Sequence, residues 1–438
     1  MEQVIDGSDL HQTGRETGPA GNTRKGRQDG SVAPCNETSP YLHLSIRMLW
    51  IKARSMARQS GNRIVSVDFL RGVTVAFMVV ANNPGDTMFV YRELLHSHWH
   101  GWTAVDFIFP MFLYLVGVSV ALSVRREAAA PGIWPKALRR AGVIFLLGLF
   151  VNGFPFYHLE TLRIPGVLQR IAIIYLASLW LHLKLGRNGL LGVILCILVG
   201  YWLLWAYVPV PGLGYPTLDM EYNLEGWLDQ MLLRGHIWEY DTTWDPEGLL
   251  STVPCVALAL LGVLAGRWLK SGGGRRWSEV FLMGACLHLA GLGWDEWFPI
   301  NKVITTSSFV LFVGGLGVML TTLAHRLLDG REHGPWIVPF LALGKKALFV
   351  YVLSQFLTQV LYVTKLPLAA CAGKSLHFWL FDGFFGLVGD RYVASAAWAV
   401  GLLAVLTAMV MLMNRIGRAL RPAAPQKANC NCRMSPYY

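Results

Sequence analysis

Residues 96–117 read HSHWHGWTAVDFIFPMFLYLVG, a polar loop with three histidines and two tryptophans that runs straight into an apolar stretch. A helix needs roughly 20 apolar residues to cross a hydrocarbon core, and the run beginning near Thr103 is that long. Imidazole takes up and returns protons near neutral pH, so a histidine-rich loop at the mouth of a membrane helix points to proton-transfer chemistry at a membrane face.

Working outward, the same kind of run recurs along the chain. Ten spans are predicted, near 64–83, 103–124, 137–154, 166–184, 189–208, 248–268, 277–294, 303–325, 336–363 and 393–413. The chain has 438 residues, 54% of them hydrophobic and only 15% charged, with a mean hydropathy of +0.42. A soluble domain carries about 25% charge. Helix-length runs rich in Leu, Ala and Gly also differ from the short alternating strands of a membrane barrel. The fold class is therefore all-α: a polytopic helical membrane protein with about ten transmembrane helices.

The net charge of +11 would suggest nucleic acid for a soluble protein. Here the basic residues alternate between loops instead. One side receives the stretch before Arg63, then Arg125, Arg126, Lys136, Arg139, Arg140, Lys184, Arg187, Arg267, Lys270, Arg275, Arg276, Arg326 and Arg331, and finally Arg415, Arg418 and Arg421. The other side is acidic, with Asp219, Glu221, Glu225, Asp229, Glu239, Asp241, Asp245 and Glu247 in the loop 209–247. The positive-inside rule then places both termini in the cytosol and the histidine loop on the opposite face. Residues 1–62 are polar, basic and without apolar periodicity, which predicts a disordered cytosolic tail. Residues 63–413 form the transmembrane domain and 414–438 a second cytosolic tail. Met48 and Met56 stand near the first span as alternative starts, and the opening residues lack the apolar core of a signal peptide. Seven scattered cysteines, with Cys430 and Cys432 only a C-x-C, form neither a disulfide framework nor a zinc site. The stretch 364–392 reads as a surface loop or a re-entrant segment.

Several residues invite a chemical reading beside a plainer one. His96, His98 and His100 fit an interfacial loop among lipid headgroups as well as a proton-transfer site, and their spacing in a loop is weak support for a metal. Asn82 and Asn83 terminate the first span, and an amide there can also donate to an oxyanion. Thr103-x-x-Asp106 is a capping-box pattern, while Asp106 can also orient a histidine. Asp68 and Arg71 can pair one turn apart, or Arg71 can meet an anionic ligand. Arg170 lies a turn inside the fourth span and must find a partner or snorkel. Lys345 and Lys346 read as snorkelling lysines.

Taken together, these motifs carry a resemblance. SVDFLRG, NNPG, H-x-x-W-x-G-W-T-x-x-D-F-I-F-P-x-F, RIPGVLQRIAIIY, DPEGLLSTVP at 245–254, PINK at 299–302 and GKKALFVYVLS at 344–354 occur in an order similar to that of the heparan-α-glucosaminide N-acetyltransferase family and its bacterial relatives. The resemblance runs from about Arg63 to about Met413. It implies a transmembrane acyltransferase that moves an acetyl group from cytosolic acetyl-CoA to an amine or hydroxyl of a sugar or glycan on the far side. It implies that His96, three residues before Trp99, is catalytic, as general base or as transiently acetylated nucleophile, and that Asn82 matches the family asparagine. Arg71, Arg125 and Arg140 are expected to contact CoA phosphates, and the loop 209–247 to shape the acceptor site. The loop between Asn82 and His96 is slightly longer than in the lysosomal enzyme, and a short basic tail replaces its lumenal domain, so a bacterial inner membrane and an envelope glycan are expected. Partners are then the bilayer, the glycan and a second copy of the chain in a homodimer, without nucleic acid or metal. A transporter for a small polar solute, with Asp68 and Arg170 as binding charges, and a non-catalytic membrane scaffold are the rival readings.

Overall fold

The computed structural model describes residues 64–124, 132–238, 243–272, 276–365 and 373–419. The tail 1–62, Arg125, and Cys430 with Cys432 lie outside the described residues. Among those described, the protein is helical throughout, with two isolated β-bridges and no strand. It is a polytopic helical membrane protein.

The helices follow the apolar runs. They are α1 (Val65–Asn82), α2 (Ile108–Ser123), α3 (Ile133–Gly153), α4 (Val167–Lys184), α5 (Arg187–Tyr207), α6 (Leu224–Leu233), α7 (Thr252–Lys270), α8 (Trp277–Trp294), α9 (Ser307–Leu328), α10 (Ile337–Lys345), α11 (Ala347–Val363), α12 (Leu376–Val388) and α13 (Arg391–Ala419). A helix stands at each of the ten predicted spans, but seven are long and apolar enough to cross a membrane, or eight if the bent pair α10–α11 counts as one. α3 is not among the seven, and it carries Lys136, Arg139 and Arg140 in its first half; nor is α8. The span near 336–363 is broken, turning by 85° at Lys346. The stretch 364–392 holds α12, an apolar helix too short to be a span, closed by Gly389 at φ 82°. The last helix continues to Ala419, past the expected boundary at 413.

α2 and α7 form the centre. A Cβ on Gly262 would lie 2.0 Å from the Tyr114 carbonyl oxygen, so glycine lets the two backbones touch, as small residues do between membrane helices. α10 meets α1 the same way, where a Cβ on Gly344 would lie 1.8 Å from the Asp68 carbonyl oxygen. Leu113, Leu115, Leu258 and Leu260 fill the core around the first crossing.

Contacts between helix ends sort the molecule into two faces. At the basic face, Lys270 donates to the Ala121 and Val124 carbonyls, and Arg267 donates to those of His182 and Leu185. These two cations satisfy the C-terminal carbonyls of α2 and α4. Asp329 accepts from the Ser66 amide and hydroxyl at the start of α1. The opposite face gathers the histidine loop, the 299–302 segment and the loop 209–247.

Candidate active site

The histidine loop is fixed from three directions. Thr103 and Asp106 form the expected capping box ahead of α2. Trp99 is buried, and its indole donates to the Leu218 carbonyl at 2.8 Å. Gly101 donates its amide to the Ile300 carbonyl at 2.7 Å, which ties the loop to the PINK segment.

The buried Asp106 carboxylate divides its work between its two oxygens. Oδ2 accepts from the Ser97 amide at 3.1 Å and from the Thr103 amide at 2.9 Å, while the Thr103 hydroxyl donates to the Leu95 carbonyl at 2.7 Å. Oδ1 faces His96 Nδ1 at 2.7 Å and Lys302 Nζ at 3.4 Å. Both readings of Asp106 are therefore correct: the residue caps a helix and orients a histidine. The side chain of His96 is 52% exposed while that of Asp106 is fully buried. An imidazole whose Nδ1–H is given to a carboxylate keeps a lone pair on Nε2, which can take a proton from a reactant. Lys302 also lies 3.0 Å from His96 Nδ1. Burial pulls the Lys302 ammonium below the ordinary lysine range, and Asp106 pulls it back.

The other two histidines diverge from this pair. His100 Nδ1 meets Asn301 Nδ2 at 3.5 Å, and burial holds His100 below its ordinary range. His98 is exposed. The asparagines divide as well. Asn83 is buried, donating to the Val79 carbonyl and accepting from the Thr358 hydroxyl. Asn82 is exposed at the end of α1 and forms no side-chain hydrogen bond among the described residues.

On the basic side of the same helices lies a cavity of about 540 Å³ between α1, α2, α3, α4, α10 and α11. Arg71, Arg140, Lys345 and Lys346 line it together with Ser119 and Ser123. Arg71 bonds Ser119 Oγ and pairs with Asp68 at 3.5 Å, so it makes the one-turn ion pair and faces the cavity too. Arg140 lies over the Tyr175 ring at 5.1 Å. Deeper in, the lining turns apolar, with Met78, Phe112, Leu168 and Ile171. From Ser123 to Phe112 the cavity follows α2 for about 16 Å, half of a hydrocarbon core. Tyr351 lines it as well.

Among the described residues of the acidic loop, Glu225, Asp229, Asp245 and Glu247 turn inward. Arg163 binds Asp245 through Nε and Nη2 at 2.8 and 2.6 Å, bonds Glu247, and lies over Trp238. Burial alone would lower the Arg163 guanidinium; its two acidic partners outweigh that and raise it. Arg170 finds its partners in the DPEGLLSTVP segment, donating to the Gly248 carbonyl at 2.9 Å and Ser251 Oγ at 2.6 Å. Glu225 and Asp229, one turn apart on α6, converge on Gly248, where a Cβ would lie 2.3 and 2.4 Å from their oxygens. Burial lifts both carboxyls, Asp229 to about 6, and at Glu225 the charge of Asp229 acts in the same direction. These groups fasten the loop to α4; Asp219 and Glu221 remain exposed.

Residues 63–294 match the family described as heparan-alpha-glucosaminide N-acetyltransferase, catalytic. The chain belongs to this family. Two curated relatives, the heparan-alpha-glucosaminide N-acetyltransferases of Homo sapiens and Mus musculus, are each 26% identical to it, over 354 and 359 residues. These alignments cover 66% and 67% of this chain and 52% and 54% of the relatives, so the chain spans about half their length. The family match ends before Lys302 and before the cavity lysines. Within the heparan-alpha-glucosaminide N-acetyltransferase family segment, His96 and Asp106 come together, and Arg71 and Arg140 share the cavity. Asn82 stands apart from any bonded partner, and Arg125 lies outside the described residues.

Reading the sequence missed Lys302 as a site residue and took Lys345 and Lys346 as snorkelling. One signal for Lys302 was present: a lysine in a short motif on the face that is otherwise poor in basic residues.

Proposed function

We propose that the protein is a membrane acetyltransferase that uses acetyl-CoA from the cytosol to acetylate an amine or hydroxyl of a sugar or glycan on the far side of a bacterial inner membrane. The observation that carries this reading is the pairing of His96 Nδ1 with the buried Asp106 carboxylate at 2.7 Å, which leaves Nε2 as a base on the exposed side. A positioned general base contributes about 10²–10⁴-fold to such a transfer.

The cationic mouth of the cavity suits the phosphates of CoA, with Arg71 and Arg140 as contacts, since arginine matches phosphate geometry. Arg125 belongs to the same proposal on sequence grounds. The apolar inner part would carry the thioester toward His96. His96 takes the acceptor proton as the acceptor attacks the thioester carbonyl; the tetrahedral intermediate then collapses with cleavage of the C–S bond, and the departing CoA thiolate takes that proton. Attack by Nε2 itself, expelling the same thiolate and forming an acetyl-histidine that the acceptor then attacks, is the other route open to this histidine. Exposed and unbonded, Asn82 is the proposed donor to the tetrahedral oxyanion. The loop charges support a cytosolic position for both termini, and a homodimer is the proposed assembly.

The test is turnover with labelled acetyl-CoA and a panel of amino sugars, run on purified protein. Acetylated product from the native protein, lost in His96→Ala with acetyl-CoA still raising the melting temperature, supports the reading. Absence of acetyl-CoA binding would refute the donor assignment and leave the solute-transporter and scaffold readings.

A further inference from the structure

We propose that Lys302 is the positioning residue of the His96–Asp106 pair: its ammonium supplies the counter-charge that keeps Asp106 ionised, and so keeps the His96 proton on Nδ1 and its lone pair on Nε2. This rests on the acyltransfer reading above and adds to it a residue beyond the matched family segment.

The argument starts from the valence of each atom. Asp106 Oδ2 already accepts the amide hydrogens of Ser97 and Thr103, which take up its two lone pairs. Only Oδ1 is left for chemistry, and its two neighbours are His96 Nδ1 and Lys302 Nζ. An ammonium can only donate. If Lys302 donated to Nδ1, the 2.7 Å contact would set two unprotonated acceptors, Nδ1 and Oδ1, against each other. The arrangement without that clash has Nδ1–H donating to Oδ1 and Lys302 donating to the same oxygen.

The charge on Asp106 decides which way this trio runs. As a carboxylate, Asp106 is acceptor-only and selects Nδ1–H. As a carboxylic acid it would donate its proton to Nδ1, and the imidazole would then carry hydrogen on Nε2 and lose its basic site. A fully buried carboxylate without a nearby cation is driven toward the neutral acid by desolvation. His96 and the Ser97 and Thr103 amides oppose that drive by hydrogen bonding, and Lys302, itself only 19% exposed along its side chain, opposes it with the one full positive charge beside Oδ1. The charges that reach Lys302 from its surroundings are Asp106 and Glu247, which favour its ammonium, and Arg170, which opposes it. The chain brings Lys302 to this position through the 299–302 segment, whose Ile300 carbonyl holds the Gly101 amide.

Turnover of Lys302→Met, Lys302→Arg, Asp106→Asn and the double variant Lys302→Met/Asp106→Asn tests this, on purified protein with acetyl-CoA and an accepted amino sugar. Lys302→Met should lower kcat by about 10²-fold or more with little change in KM for acetyl-CoA, and Lys302→Arg should recover part of the loss. Because the lysine acts through Asp106, the double variant should be no slower than Asp106→Asn alone. The deficit of Lys302→Met relative to the native protein should narrow as pH rises from about 6 to about 9, because Asp106 then ionises without help. Where Lys302→Met does not fold by its melting curve, Lys302→Gln takes its place. Near-native kcat without the lysine, or losses that multiply in the double variant, would overturn the inference. An inactive His96→Ala beside an active Lys302→Met sinks this inference alone; an active His96→Ala sinks the reading beneath it.

Discussion

At the scale of the residue, one loop separates three histidines that look alike in sequence. His96 alone meets a carboxylate, at 2.7 Å. Its replacement by alanine should cut turnover by about 10²–10⁴-fold if it is a base, whereas His98→Ala and His100→Ala should cost far less. Asn82→Ala should lower the rate by roughly 10²–10³-fold if its amide meets the oxyanion. Parallel kcat measurements on the four variants check both statements; a larger loss at His100 would move the chemistry to the wrong ring. The family resemblance singled out His96 by its place three residues before Trp99, and local spacing made the helix cap at Asp106 legible. Lys302 was not, because its partner lies 206 residues away and no periodicity reports a contact that long.

Elements carry the next level. The apolar runs gave the helices, since a lipid-facing backbone must bond within itself. They could not reveal that the span near 336–363 breaks at Lys346 or that Arg140 on α3 lines a cavity, because both depend on what the neighbouring helices enclose. The α2–α7 crossing is a sharp test of packing. Gly262→Ala would push a methyl against the Tyr114 carbonyl and should destabilise the protein by about 1–3 kcal/mol, the usual cost of overpacking. Gly142→Ala on α3 meets nothing within 4 Å and should be neutral or slightly stabilising. Melting temperatures in one detergent compare the two. The loop 209–247 is expected to shape the acceptor site; among its described carboxylates, Glu225, Asp229 and Asp245 are buried and fasten the loop. Asp229, lifted to about 6 by burial, binds its proton more tightly in the folded state than in the unfolded one. Its contribution to stability is therefore full below its unfolded value and lost as pH rises through about 6. The melting temperature of the native protein should gain on that of Asp229→Asn as pH falls from about 7 to about 5; a pH-independent difference would contradict the assignment.

For the whole molecule, the two faces carry different groups. The cavity with Arg71 and Arg140 opens among the basic ends, and His96 stands among the opposite ends. Loop charge read from the sequence already separated these faces, while the cavity between them arises only when six helices pack. Cysteine labelling fixes the orientation. In a background with its own cysteines removed, Tyr222→Cys, exposed on the acidic loop, and Arg276→Cys, exposed on the basic side, should label from opposite sides of intact membranes. Labelling of both from one side would contradict the arrangement. With orientation known, the decisive measurement is transfer across a sealed bilayer: labelled acetyl-CoA on the Arg276 side of proteoliposomes and an amino sugar confined to the Tyr222 side. The account predicts labelled acetyl-sugar in the compartment that never held acetyl-CoA, from the native protein and not from His96→Ala. Acetylation confined to the acetyl-CoA side, or undiminished by His96→Ala, would contradict it.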